Sequence, residues 1–271
     1  MGVLRVTLRG APVETEDSLF ELLAGIPCSW SRDGDTLSLW AEREHAGEIR
    51  AALAGGGLAF TENVEEERDW VAQAAALQKA VAVGRYLLDP HEGTGATPAE
   101  GRVRLHVPAE RAFGTGSHES TRIALRLLLA RPLAGARVLD VGCGAGTLAL
   151  VAAVEGASHV VALDIDPDAA FATRAGARRN ATAPVATLAG PVEALAPRPL
   201  FDVAVANMIA EELGPLLPGI FRRLRPGGVL LTSGQLLERR EEFEETLAAC
   251  GFFAAGSEIE GEWIGFVARR K

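Results

Sequence analysis

Beyond Pro108 the chain alternates short apolar runs of strand character with longer stretches of helical spacing, and this pattern limits its fold more than any other feature. A helical stretch over residues 120–133 precedes a strand at 137–142, then a helix at 147–157 and a strand at 159–166. A helix at 167–181, a weaker strand at 185–190 and a strand at 201–208 follow. Beyond them lie a helix over 210–224, a turn at "RPGG", a strand at 229–234, a helix over 236–251 and two closing extended pieces within 253–270. Strands that alternate with helices imply a mostly parallel sheet covered on both faces. In such sheets ligands bind at the carboxyl ends of the strands, near the point where strand order reverses.

The first 64 residues follow another rhythm. A strand over 3–9, a helix over 16–25, strands at 26–30 and 36–41 around the turn "RDGD", a helix over 42–56 and a strand at 58–64 give the order β-α-β-β-α-β. That order is the ferredoxin-like α+β plan, in which one sheet face is covered and the other is free for a partner. Between the two patterns, residues 65–107 begin charged, continue as an expected helix over 71–83 and end in a loop-like tract, "DPHEGTGATPAEG". The expected organisation is a small domain at 1–64, a linker with a helix at 65–107 that allows motion, and an α/β domain at 108–271.

Charge and cysteine usage bear on partners and compartment. The net charge is -9, and in the first 64 residues five arginines face ten carboxylates. This balance repels polyanions and suits a basic partner, so no direct nucleic-acid requirement is expected. The start "MGVLRVTLRG" lacks a signal-peptide pattern and no apolar run reaches bilayer length, so the expectation is a cytoplasmic protein without membrane contact. Cys28, Cys143 and Cys250 are odd in number and widely spaced, which argues against a disulfide framework and against a bound metal.

Three strand ends carry the candidate chemistry. In "VLDVGCGAG", Asp140 precedes Gly142, Gly144 and Gly146 where the first strand of the α/β part turns into its helix, and the backbone there can approach a ligand closely. A dinucleotide fingerprint would place its third glycine at Thr147, so the pyrophosphate version is incomplete. In "ALDIDP", Asp164 ends the second strand, where a carboxylate accepts both hydroxyls of an unphosphorylated ribose; Asp166, ahead of Pro167, reads as a helix cap. These features suit NAD or an adenosyl cofactor alike. In "VANMIAEEL", Asn207 ends the fourth strand, and its amide can accept hydrogen bonds from an amine without adding charge, although asparagine at a strand end is also a common turn former. Upstream, "AFGTGSHEST" at 112–121 is a polar, glycine-rich segment that can fold over the same sheet edge.

Together these motifs resemble the seven-stranded, Rossmann-like class I methyltransferases that use S-adenosyl-L-methionine. "AFGTGSHEST", "VLDVGCGAGTLAL", "DIDPDA", "FDVAVANMIA", "LRPGGVLLTSG" and "GEWIGFVARR" narrow the resemblance to the bacterial ribosomal protein L11 methyltransferases, densely over 108–271. The resemblance implies trimethylation of lysine or N-terminal amino groups of ribosomal protein L11, bound through the N-terminal domain. It places cofactor contacts on Thr121, Gly142, Asp164 and Asn207, with Asn207 also at the reacting end. By position, residues 113–116 border the entrance for the target amine, and Asn207 with Thr115, His118 and Thr121 orients it while Phe113 helps exclude water; His118 reads more as a cap or hydrogen-bonding group than as a base. This chain departs from the family pattern with Ser120 before Thr121, with "ANMIA" after the fourth strand, and with no second tryptophan following Trp70. The rival readings are a methyltransferase of another protein or of RNA, and an NAD-dependent oxidoreductase.

Overall fold

The computed structural model describes residues 2–10, 12, 15, 19, 22–23, 26–66, 79–91, 101–107 and 116–270. The chain divides into two compact units, Met1–Trp70 and Val71–Lys271.

In the first unit, β1 (Gly2–Arg9), β2 (Cys28–Asp33), β3 (Thr36–Glu42) and β4 (Thr61–Glu66) form an antiparallel sheet in the order β2-β3-β1-β4. The period of two along β1 and β3 sends Leu4, Val6, Leu8, Leu37 and Leu39 into one core. Helix α1 (Ala46–Gly55) lays Ile49 and Leu53, four residues apart, on the same core. It follows a 3-10 turn at Arg43–His45, so the helix expected over 42–56 starts late, and the last strand starts at Thr61 rather than at 58. Most of the helix expected over 16–25 lies outside the described residues, although Leu19 and Leu23 are buried in this core.

The second unit opens with a small sheet of β5 (Val81–Val83), β6 (Tyr86–Asp89) and β7 (Val103–His106). The helix expected over 71–83 therefore does not reach its end: Val81–Val83 is a strand paired antiparallel with β6, and residues 71–78 and Trp70 lie outside the described residues. Val83, Tyr86, Leu88, Leu105 and Val107 join the hydrophobic core of the α/β sheet. β-branched residues on so short a segment gain more from that packing than an alanine-rich composition gains as helix.

The main sheet holds β8 (Arg137–Val141), β9 (His159–Asp164), β10 (Val185–Ala189), β11 (Phe201–Asn207), β12 (Leu224–Leu236), β13 (Phe252–Glu260) and β14 (Trp263–Arg270). Their order is β10-β9-β8-β11-β12-β14-β13, parallel through β12, with β14 antiparallel to both of its neighbours. This is the seven-stranded arrangement that the resemblance implies. Order reverses between β8 and β11, so the switch point lies where "VGCGAG" and Asn207 end their strands.

Both faces are covered, as the near-continuous apolar strands require. α2 (Glu119–Leu129), α3 (Thr147–Val154) and α4 (Pro167–Arg179) bury Ile123, Leu127, Leu150, Val151 and Ala177 in one cluster. On the other side α5 (Ala210–Leu213), α6 (Leu217–Arg223) and α7 (Arg240–Ala249) bury Leu213, Leu217, Ile220, Phe243 and Leu247. Among the described residues no helix is long and apolar enough to cross a membrane, and no group of residues is arranged to hold a metal ion.

Candidate cofactor and substrate site

The glycine turn after β8 is shaped by backbone that side chains tolerate poorly. Gly142, Gly144 and Gly146 have φ of 72°, 52° and 83°, in the left-handed region. The amides of Gly142 and Cys143 both donate to the Leu163 carbonyl, at 2.8 and 3.0 Å, which fastens the turn to the end of β9. From α4, Thr173 donates its hydroxyl to the Gly144 carbonyl at 3.1 Å and lies 3.3 Å from the Cys143 sulfur. A methyl group on Gly146 would come within 2.6 Å of the Thr173 hydroxyl oxygen. The loop is thus held from both sides, and Cys143 is its side chain that lines the cleft.

Asp164 and Asp166 divide the work that the sequence assigns to them. Asp164 Oδ2 accepts the Gly144 amide and Oδ1 accepts the Asp166 amide, each at 3.0 Å. Every carboxylate oxygen has about two lone pairs, so capacity for a ligand's hydroxyls remains. Asp166 caps α4, accepting the Asp168 amide at 2.9 Å with Pro167 in the first turn. Asp140 is wholly buried. Its Oδ2 accepts the Ala149 amide at 3.0 Å, while Oδ1 has no partner among the described residues. Burial pushes its carboxyl up to about 7; the Ala149 amide opposes this rise and the charge of Asp164 adds to it.

Asn207 ends β11 beside Ser233 of β12. Its Nδ2 donates to the Thr121 hydroxyl oxygen at 3.1 Å, and its buried Oδ1 has no partner among the described residues. The next peptide is fixed as well: the Met208 amide donates to the Ser233 carbonyl at 2.9 Å, and Gln235 Nε2 donates to the Met208 carbonyl at 2.8 Å. Thr121 sits in the first turn of α2, where His118 is the N-cap and its ring nitrogen accepts the Ser120 amide at 3.2 Å. The His118 ring also meets Trp263 edge to face at 4.9 Å, so it is a cap with an aromatic neighbour, as the sequence favours. Gly116, with φ of 95°, packs against Leu88, whose Cδ1 would lie 2.3 Å from a Cβ placed there. Phe113 and Thr115, expected at the amine entrance, lie outside the described residues.

Thr121, Gly142, Asp164 and Asn207 all line one cleft of about 660 Å³ at the switch point. The size is that of a small-molecule site. Its apolar walls include Leu148, Leu163, Ile165 and Ile209, and its charged residues among those described are the carboxylates Asp164, Asp166 and Glu212, with no lysine or arginine. Such a lining favours a ligand that carries positive charge. Sequence reasoning overlooks Ile165, which is 81% exposed between the two aspartates, and Met208, whose sulfur lies 3.0 Å from where a Gly142 Cβ would be. An apolar residue between two acids at a strand end is the signal that could have found the first. Nothing in the sequence marks the second.

Known proteins resemble this chain over most of its length. The model of the family described as ribosomal protein L11 methyltransferase (PrmA) matches residues 19–271. The ribosomal protein L11 methyltransferase of Pseudomonas paraeruginosa is 34% identical over 275 residues, which cover 100% of this chain and 91% of that protein. The one from Symbiobacterium thermophilum is 35% identical over 208 residues, covering 76% of this chain and 67% of its own. The crystal structure of the ribosomal protein L11 methylase from Lactobacillus delbrueckii subsp. bulgaricus superposes with a TM-score of 0.64 and 26% identity, over 70% of this chain and 98% of that one.

Proposed function

The chain belongs to the ribosomal protein L11 methyltransferase family, and from that premise we propose that it methylates amino groups of ribosomal protein L11 with S-adenosyl-L-methionine bound in the cleft. The carrying observation is that Thr121, Gly142, Asp164 and Asn207, read from four separate stretches of sequence, converge on one cleft at the sheet's switch point.

The residues present fit that cofactor. Asp164 retains acceptors for two ribose hydroxyls, Gly142 leaves the adenosine end open, and Ile165 offers an apolar surface to a purine. Thr121 serves the methionine end, and the acidic lining suits a sulfonium. When bound, S-adenosyl-L-methionine supplies an electrophilic methyl group on positively charged sulfur.

What remains for the chain is to place a neutral amine. Fewer than about one lysine in a thousand is neutral at pH 7, so the site has to favour the free base. Asn207 Oδ1, buried and unpartnered, is an acceptor for an amine N–H that turns the nitrogen lone pair toward the methyl group. An amine packed against the buried walls Leu148 and Leu163 would lose water, which disfavours its ammonium form.

Lysine side chains, the N-terminal amine or both are the proposed targets, carried to the trimethyl state, in the cytoplasm. The acidic first unit, read as a ferredoxin-like substrate-recognition domain over 1–64, suits a basic ribosomal protein; the connection read over 65–107 ends in β5–β7, which pack into the core of the methyltransferase domain read over 108–271. Calorimetric titration of the full chain with S-adenosyl-L-methionine and, separately, with NAD tests the reading. Binding of the first with no heat from the second is expected, and the reverse order of affinity would overturn it.

A further inference from the structure

We propose that Thr121 is a positioning residue for Asn207, fixing which end of its amide receives the substrate amine. The inference rests on the reading of Asn207 given above, and it concerns a contact between two elements 86 residues apart in sequence.

The two ends of a primary amide have the same shape and opposite chemistry. With Oδ1 available, Asn207 accepts an amine N–H; after a flip it would present two N–H donors to a group that itself must donate. In the structure Nδ2 donates to Thr121 Oγ1 at 3.1 Å, and Oδ1 is the buried atom left without a partner. A hydroxyl can also donate, so the direction depends on where the Thr121 proton goes. An acceptor in the cleft commits that proton and leaves the oxygen able only to accept from Asn207. Thr121 would in this way transmit cofactor binding to the orientation of the amide.

The hydroxyl is firmly placed. Thr121 is 1% exposed, in the first turn of a helix capped by His118. The next residue, Arg122, bonds Glu260 at 2.8 Å and Glu119 at 3.0 Å, and Arg126 pairs with Glu258 and Glu260 on the β13–β14 hairpin. On the other side Gln235 and Ser233 hold the Met208 peptide. Only the amide torsion of Asn207 is left to choose, and Thr121 chooses it.

Thr121→Val keeps the branched shape and removes the oxygen. Single-turnover transfer to ribosomal protein L11 at saturating S-adenosyl-L-methionine is expected to fall about 10- to 100-fold, while Thr121→Ser keeps most of the rate. Wild-type rate in Thr121→Val at saturation would overturn the proposal. A second readout does not need transfer. The Asn207 side-chain NH2 signals in amide NMR, identified by their absence in Asn207→Ala, are expected to be protected from hydrogen exchange when S-adenosyl-L-methionine is added to the wild type and to Thr121→Ser. They are expected to lose that protection in Thr121→Val, and unchanged exchange there would equally overturn it. A wild type that transfers no methyl group would refute the proposed function and leave this NMR comparison to decide the contact. Thr121→Ala carries the same comparison if Thr121→Val does not fold.

Discussion

Gly146→Ala tests whether the glycine turn is held as tightly as its contacts imply. Two costs add. An alanine at φ of 83° pays about 1–2 kcal/mol for the left-handed backbone. Its methyl would also stand 2.6, 2.8 and 2.9 Å from Oγ1, Cγ2 and Cβ of Thr173, a fully buried side chain whose Cβ moves only with its helix. Overpacking of this kind costs about 1–3 kcal/mol, so the whole is about 2–5 kcal/mol, or roughly 5–20 °C in the melting temperature of a unit this large.

Gly142→Ala is the internal control. It carries the same backbone cost at φ of 72°, but the atom it meets first is the Met208 sulfur at 3.0 Å, the end of a flexible chain that can move. Its loss should stay near the backbone term, about 1–2 kcal/mol. Thermal and urea unfolding followed by circular dichroism would measure both, and Thr173→Ala in combination with Gly146→Ala should recover part of the loss. The reasoning fails if Gly146→Ala is no more destabilising than Gly142→Ala, or if the double variant is additive within about 0.5 kcal/mol.

Other outcomes follow from the same contacts. Asp164→Ala removes the acceptors offered to the ribose and frees the Gly144 amide, so S-adenosyl-L-methionine affinity measured by calorimetry should drop at least about tenfold; unchanged affinity would remove Asp164 from the site. Asp140 holds its proton up to about pH 7 in the fold, against 3.8 for a free carboxyl, so its stabilising contribution is complete below pH 4 and is lost as pH rises through 7. Asp140→Asn should therefore become more stable than the wild type across that window, by a few kcal/mol at about 1.4 kcal/mol per unit; parallel stability curves would contradict the assignment. Transfer to a lysine should rise about tenfold per pH unit toward its pKa near 10.4, whereas transfer to an α-amino group should level off near pH 8. Rate profiles on substrates that carry only one kind of amine separate the two, and identical profiles would mean that deprotonation of the amine does not limit the reaction.

Much of the site was legible because its chemistry sits at strand ends. Glycines after β8, an acid after β9 and an amide after β11 mark places where the pattern of apolar strands breaks, and topology alone carries all three to one edge. The capping role of Asp166 was legible too, from the proline just beyond it, and His118 caps its helix as the more ordinary role of a loop histidine. The small sheet β5–β7 was not, since strands of three and four residues next to an alanine-rich run have no local signature; they form because Tyr86, Leu88 and Leu105 find a core made by residues far along the chain. Contacts such as Asn207 to Thr121, and Gln235 to the Met208 peptide, join positions whose proximity only the fold creates.

The most direct test joins function and site in one mass spectrum. Unmodified ribosomal protein L11 would be incubated with the full chain and isotopically labelled S-adenosyl-L-methionine, then digested and mapped, with Asn207→Ala in parallel. The account predicts labelled methyl groups on amino nitrogens with the wild type, and none with Asn207→Ala although that variant still binds the cofactor. Label absent from the wild-type reaction, or equal label from Asn207→Ala, would contradict it.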